Sequence, residues 1–208
     1  MVEAVSGQKL DRYFQEHIFG PLEMKDTSFK LSPSQRARLA SVHQRDANGT
    51  LAPIEFELPP EPEFLMGGGG LYGTAGDYLA FCQMILHDGR FRDRQLLRPE
   101  TVAQMAQNHI GALEVGVFKT AMPALSHDVE LFPGMSKKWG LSFLINTQPT
   151  PTGRSAGSLA WAGLANTYFW IDRTKRLCGV FLSQVFPFYD HTAIDLLVNF
   201  ETEMYRAL

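Results

Sequence analysis

The sequence predicts an α+β protein in which helices and loops come first, then antiparallel strands, then one terminal helix. Three observations carry this reading. Apolar residues repeat at the helical period before residue 20, again after Thr74, and once more after Asp190. After Gly134 the texture changes to short apolar and aromatic runs divided by polar turns. Among those runs, Asp172-Arg173-Thr174-Lys175 is a polar turn of the kind that joins an antiparallel pair. A sheet covered by a closing helix satisfies this order. It divides into a helical and loop region, 1–134, and a strand region with the last helix, 135–208, forming one structural unit.

Residues 1–19 read as helix. Met1 and Val5 share a face, and Leu10, Phe14 and Ile18 repeat at the same period. Ser6-Gly7 divides the stretch in two, and Gly20-Pro21 ends it. The first helix begins on apolar residues with no Ser, Thr, Asp or Asn to cap it. We therefore expect a segment upstream of Met1 to be missing. Residues 21–63 read as irregular, because Pro21, Pro33, Pro53, Pro59, Pro60 and Pro62 interrupt any long element. Within them, Asp46-Ala47-Asn48-Gly49 reads as a hairpin turn.

The consecutive glycines Gly67–Gly70 open a loop running to Gly73 that permits backbone paths a side chain would block. Thr74 with Asp77 approximates a capping box. Tyr78, Leu79, Phe81, Cys82, Ile85 and Leu86 then follow at helical spacing until Gly89. Pro99 suits the first turn of a helix carrying Val102 and Met105. Three strands are expected next, at Trp139–Asn146, Gly157–Asp172 and Leu177–Val185, the last two paired as a hairpin. Asp190 or Thr192 caps the final helix, with Ile194, Leu197, Val198, Glu201, Met204 and Tyr205 as its stripe.

Composition narrows the function. The 208 residues are 45% hydrophobic and 20% charged, which excludes disorder and collagen-like structure. A chain of this size can bury roughly 70% of its unfolded surface without metals or disulfides. The net charge of −3 implies no basic face, so nucleic acid is not an expected partner. No apolar run reaches the roughly 18 residues of a membrane span, and the opening residues lack a signal-peptide pattern. The six histidines show no HxxxH or HxH spacing and the two cysteines no CxxC, so neither a metal nor another cofactor is expected. Cys82 and Cys178 read as buried free thiols, which agrees with a reducing, cytoplasmic location.

Four motifs bear on chemistry. Gly153-Arg154-Ser155-Ala156-Gly157 is a literal GxSxG, followed by Asp172, Asp190 and His191 in the order of an α/β-hydrolase triad. However, no apolar strand runs into it and no helix runs out, so a hairpin loop is the better reading. Ser6-Gly7-Gln8-Lys9 matches S-x-x-K, but a glycine between two helices cannot hold Lys9 one turn from Ser6. Gly67–Gly70 lacks the GK[ST] ending of a phosphate loop. The run Ser158–Asp172 reads as one long strand with Ala162-Gly163 in its middle. Glycine there admits either a close ligand, with free edge N–H groups facing an oxyanion, or simply a packed neighbour.

Taken together, these stretches resemble the serine β-lactamase-like superfamily, and within it class C β-lactamases, family VIII carboxylesterases and penicillin-binding relatives. Val5-Ser6-Gly7 and Ile18-Phe19-Gly20-Pro21-Leu22-Glu23-Met24-Lys25-Asp26-Thr27-Ser28-Phe29 look like the family's "VSG … IFxPLGMxDTxF" passage. Gly67 to Tyr78 is similar to its "GGGGLxSTAxDY" loop. Trp161-Ala162-Gly163 aligns with its third motif, Lys-Thr-Gly or His-Thr-Gly in lactamases and often Trp-Gly-Gly in esterases.

The resemblance implies a β-lactamase/transpeptidase-like fold, incomplete at its amino-terminal end. In the family the nucleophilic Ser, the Lys base and the Tyr lie upstream of the "VSG" helix, so all three are expected outside this chain. The resemblance makes Leu164 N–H the second oxyanion donor and puts Trp161, Ala162, Gly163 and Asn166 beside the substrate. With Trp161 where lactamases carry a cation, neutral esters are favoured. The expected function is the carboxy-terminal part of a serine ester hydrolase acting through an acyl-enzyme, inactive by itself. Its expected partners are a small-molecule ester or amide and the missing N-terminal segment. The alternatives are a non-catalytic binding or assembly module of the same fold, and a GxSxG hydrolase using Ser155.

Overall fold

The computed structural model describes all residues, 1–208. Gly7, at φ +71°, ends α1 (Val2–Ser6) and releases the chain into α2 (Leu10–Phe14), which passes into a π-helical turn over Gln15–Phe19. No residue of α1 is buried, and Met1 and Val5 lie in the open. The irregular stretch holds more structure than its prolines suggest. Ser32 caps a short α3 (Pro33–Arg36) in a full capping box, and the predicted turn at 46–49 joins β1 (Val42–Arg45) to β2 (Leu51–Ile54). Pro53 is tolerated in β2 because β2 is an edge strand.

Thr74 caps α4 (Ala75–Leu86) by accepting from Asp77 N–H. The return half of the capping box does not form. Asp77 instead accepts from Asp26 N–H and the Thr27 hydroxyl, at 2.8 and 2.9 Å, tying the helix start to the loop before it. The two-residue strands β3 (Arg90–Phe91) and β4 (Arg94–Gln95) follow. Pro99 then opens α5 (Pro99–Met105).

The strand region forms one antiparallel sheet in sequential order: β5 (Lys137–Trp139), β6 (Leu144–Asn146), β7 (Leu159–Gly163), β8 (Thr167–Asp172) and β9 (Leu177–Phe181). Alternation along the strands sends Leu159, Trp161, Phe169, Ile171, Cys178 and Val180 to the α4 side. Ala160, Tyr168 and Trp170 go to the side of α6 (His191–Arg206). The sheet is therefore sandwiched between α4 and α6. Gly179 leaves room for the Trp170 ring, since a Cβ there would lie 2.3 Å from it. Beneath α6, Arg154 and Glu201 form a buried ion pair with the Thr152 hydroxyl on the same carboxylate. The short β10 (Val185–Phe186) pairs parallel with β1 and joins the two regions. No helix is long and apolar enough to cross a membrane.

Two expected strands are hairpins. Trp139–Asn146 folds back between β5 and β6. Gly140 N–H donates to Phe143 C=O, Leu141 N–H donates to Met105 C=O, and Ser142 adopts φ +75°. A Cβ on Gly140 would sit 2.2 Å from the Met105 oxygen, so glycine is required at that turn. Gly157–Asp172 likewise splits into β7 and β8 around Leu164-Ala165-Asn166, so Ala162-Gly163 ends a strand rather than centring one. Two smaller expectations also shift. Val198 on α6 is 41% exposed and lies off the buried stripe, and Cys178 is half-buried rather than buried. Burial pushes the Cys178 thiol up to about 11 and raises Cys82 well above its ordinary value, so neither is a ready nucleophile.

Candidate active-site wall

β7 is an inner strand, not the edge strand expected, but its end behaves like one. β6 pairs with it only at Leu159 and Ala160. Beyond that point Trp161, Ala162 and Gly163 are held by β8 on one side and have no strand on the other. The Trp161 ring stands on the α4 side of the sheet, 4.5 Å from the Trp139 ring and perpendicular to it, and 6.0 Å from Phe118. Across the strand pair lies Phe169, whose ring meets Tyr78 of the first turn of α4 at 5.1 Å. The glycine loop thus feeds a helix whose first turn overlies the cross-strand neighbour of Trp161.

The turn after Gly163 is anchored from below and open above. Asn166 adopts φ +56° and is fully buried. Its Nδ2 donates to the carbonyls of Val185 and Pro187 at 2.8 and 2.9 Å. Its Oδ1 accepts from the Tyr168 hydroxyl and from Asp190 N–H. The Ser183 hydroxyl donates to Ala165 and Asn166 carbonyls. The Asn166 side chain has nothing left to offer a ligand. The expected contact of Asn166 with substrate therefore has no free side-chain donor or acceptor behind it, and the amide holds the turn that carries Leu164. Leu164 itself is 46% exposed, and its N–H donates to no atom of the chain.

Electrostatics beneath this turn are settled by compensation. Burial would raise the Asp190 carboxyl, but the Arg45 guanidinium and Ala193 N–H bring it below the usual carboxylate range. Burial pushes the Tyr168 phenol well above its ordinary value. No charged side chain lies among Trp161, Ala162, Gly163 and Leu164, so the wall offers aromatic surface and backbone. Two recesses, of about 320 and 690 Å³, lie elsewhere, one lined by residues between Asp11 and Leu65 and the other between Arg36 and Glu57.

The other candidates are dispersed. Ser155 sits in the β6–β7 loop, where its N–H donates to Asp172 at 2.7 Å. Asp172 also accepts from Lys175 N–H and from the Tyr205 hydroxyl near the end of α6. Burial opposes its ionisation, but these donors hold the carboxyl below the usual range, as a capping group. His191 begins α6, and 14 residues of helix separate it from Tyr205, about 20 Å at 1.5 Å per residue. His191 is therefore not within reach of Ser155. The Ser6 hydroxyl donates to Val2 C=O, and Lys9 lies beyond the helix break, so S-x-x-K is a helix end. Phe118 and Trp139 escaped the sequence reading. Trp139 was placed in a strand without a role, and Phe118 sits in a segment with no periodicity. Its only signal was the apolar pair Val117-Phe118 ahead of Val129, which forms an isolated bridge.

The sequence profile of the Beta-lactamase family matches residues 1–201. Monacolin J acid methylbutanoyltransferase of Aspergillus terreus (strain NIH 2624 / FGSC A1156) is 30% identical over 99% of this chain and 51% of its own length. Lovastatin esterase of Penicillium rubens is 28% identical over 99% of this chain and 53% of its own. Among solved structures, the simvastatin synthase LovD6 mutant from Aspergillus terreus superposes with a TM-score of 0.81 at 28% identity, covering 99% of this chain and 52% of that one. A penicillin-binding protein homologue from Caulobacter crescentus shares the fold, with a TM-score of 0.64 at 16% identity. The chain spans about half the length of the curated relatives it matches. By profile and fold, this chain belongs to the beta-lactamase family.

Proposed function

We propose that this chain supplies the substrate-flanking wall and one oxyanion donor of a serine acyl-transfer enzyme acting on neutral esters. The observation that carries the proposal is the unpaired end of β7. Trp161–Gly163 runs past β6 into the uncommitted Leu164 N–H, in a chain half as long as its acyltransferase and esterase relatives. The nucleophile and base lie in a complementary segment outside this chain. That segment docks where the sheet is open, at the free edge of β9 and the adjoining apolar flank formed by Leu182, Leu196 and Phe200, all more than 40% exposed.

In the reaction, a serine hydroxyl of that segment adds to the ester carbonyl carbon and loses its proton to a base. Negative charge develops on the carbonyl oxygen, where Leu164 N–H donates to it. Collapse breaks the bond to the alcohol, which leaves with the proton. Water or a second alcohol then takes up the acyl group. Trp161 provides an apolar contact where a cation would select carboxylates, which favours neutral substrates.

The test uses a version extended upstream to include the complementary segment. Replacing Leu164 by Pro removes the N–H and is expected to lower kcat on p-nitrophenyl butyrate about 100-fold, while Leu164→Ala stays within about threefold of wild type. Equal activity of the Pro and wild-type enzymes, with both folded by circular dichroism, overturns the assignment.

A further inference from the structure

We propose that Phe118 is a specificity-determining residue, forming with Trp139 and Trp161 an aromatic bay that receives a bulky apolar group of the ester. This rests on the acyl-transfer reading above and extends it to the substrate's shape.

Phe118 is unusual in being rigid yet exposed. Its N–H donates to Val129 C=O and its C=O accepts from Val129 N–H, both at 2.9 Å, and Val129 is buried. A two-way clamp on a core residue fixes the backbone, while the residue remains 44% exposed. The ring meets Trp161 edge-on at 6.0 Å, and Trp161 meets Trp139 edge-on at 4.5 Å. Trp139 is fixed in turn, because its C=O accepts from His109 N–H and β6 holds it in register. Trp161, packed on the edge of the core, is therefore flanked by two further rings, Phe118 and Trp139, and none of the three is fully buried. Val117, 46% exposed, extends the apolar surface.

The neighbouring charge is already spent. Lys119 donates to Asp128 at 2.6 Å, and Asp128 also accepts from Thr120 N–H. With the adjacent Lys119 and Asp128 paired to each other, the bay offers dispersion and ring edges, which fits an alkyl or aryl group. Trp161 begins the unpaired run that ends at the Leu164 donor, so a carbonyl held by Leu164 N–H places one flank of its ester toward these rings.

The experiment uses the upstream-extended enzyme and two ester series, one varying the acyl chain from acetyl to octanoyl and one varying the alcohol from methyl to naphthyl. The readout is the ratio of kcat/KM for bulky over small members. In Phe118→Ala this ratio is expected to fall about tenfold in one of the series, mainly through KM, and the affected series identifies which flank occupies the bay. Phe118→Leu, which keeps the apolar volume, is expected to fall about threefold and covers the case in which the Ala variant does not fold. An unchanged ratio in both series overturns the proposal. Should the wild type cleave no ester, the hydrolase reading has failed by itself. The bay is then tested by tryptophan fluorescence titrated with octyl acetamide. A saturable change weakened about threefold in Phe118→Leu supports it, and no saturable change, or one equal in both proteins, overturns it.

Discussion

Asn166 shows how one buried amide can hold a whole turn. It combines a left-handed backbone, which asparagine tolerates better than most residues, with an amide whose donors and acceptor are all used. Replacing it with Ala leaves two buried carbonyls, a hydroxyl and an N–H short of partners, each worth about 1–3 kcal/mol when unsatisfied. We expect Asn166→Ala to destabilise the chain by at least about 2 kcal/mol in urea unfolding. Asn166→Gly, which relieves the backbone but not the hydrogen bonds, should lose nearly as much, whereas full rescue by Gly would assign the effect to φ alone. Trp161 and Leu164 stand in a stretch the sequence marks as a motif, whereas nothing local to Asn166 announces the hydrogen bonds its amide makes. A polar residue three positions beyond a glycine reads as a ligand until the buried carbonyls of Val185 and Pro187 arrive from a distant loop.

At the scale of elements, α6 was the most legible, because its cap, length and stripe are all local. Its two ends rest on carboxylates. Asp190 caps the start and pairs with Arg45, while Asp172 receives the Tyr205 hydroxyl near the finish. Both carboxyls titrate below their ordinary range in the folded chain, so the unfolded chain binds protons first as pH falls. Their contribution is complete above the unfolded value of about 3.9 and is lost as pH drops through the lower folded values. Stability followed by urea unfolding should therefore be flat near neutrality and fall below about pH 4. Asp190→Asn, which keeps a capping side chain, should make that acid limb shallower. A variant limb as steep as that of wild type would remove Asp190 from the account. The hairpins at 140–143 and 164–166 were less legible. Their turns use Gly140 against Met105 C=O and Asn166 against a remote loop, so the reversal depends on contacts that no local pattern encodes.

For the molecule as a whole, the α+β order and the antiparallel meander followed from texture, because a meander pairs neighbours in sequence, but three expected strands became a five-stranded sheet. What the texture could not supply was which strand end is left unpaired and which sheet edge is open. The structure has both. β7 outruns β6 beside Leu164, and β9 ends the sheet with apolar side chains around it. These two features carry the proposal that this member of the beta-lactamase family supplies the wall of an active site.

The most direct measurement is ester turnover by the 208-residue chain and by its upstream-extended form, each with and without Ser155→Ala. The account predicts background hydrolysis by the short chain, turnover by the extended one, and no effect of Ser155→Ala on either. Steady turnover by the short chain, abolished by Ser155→Ala, would contradict it.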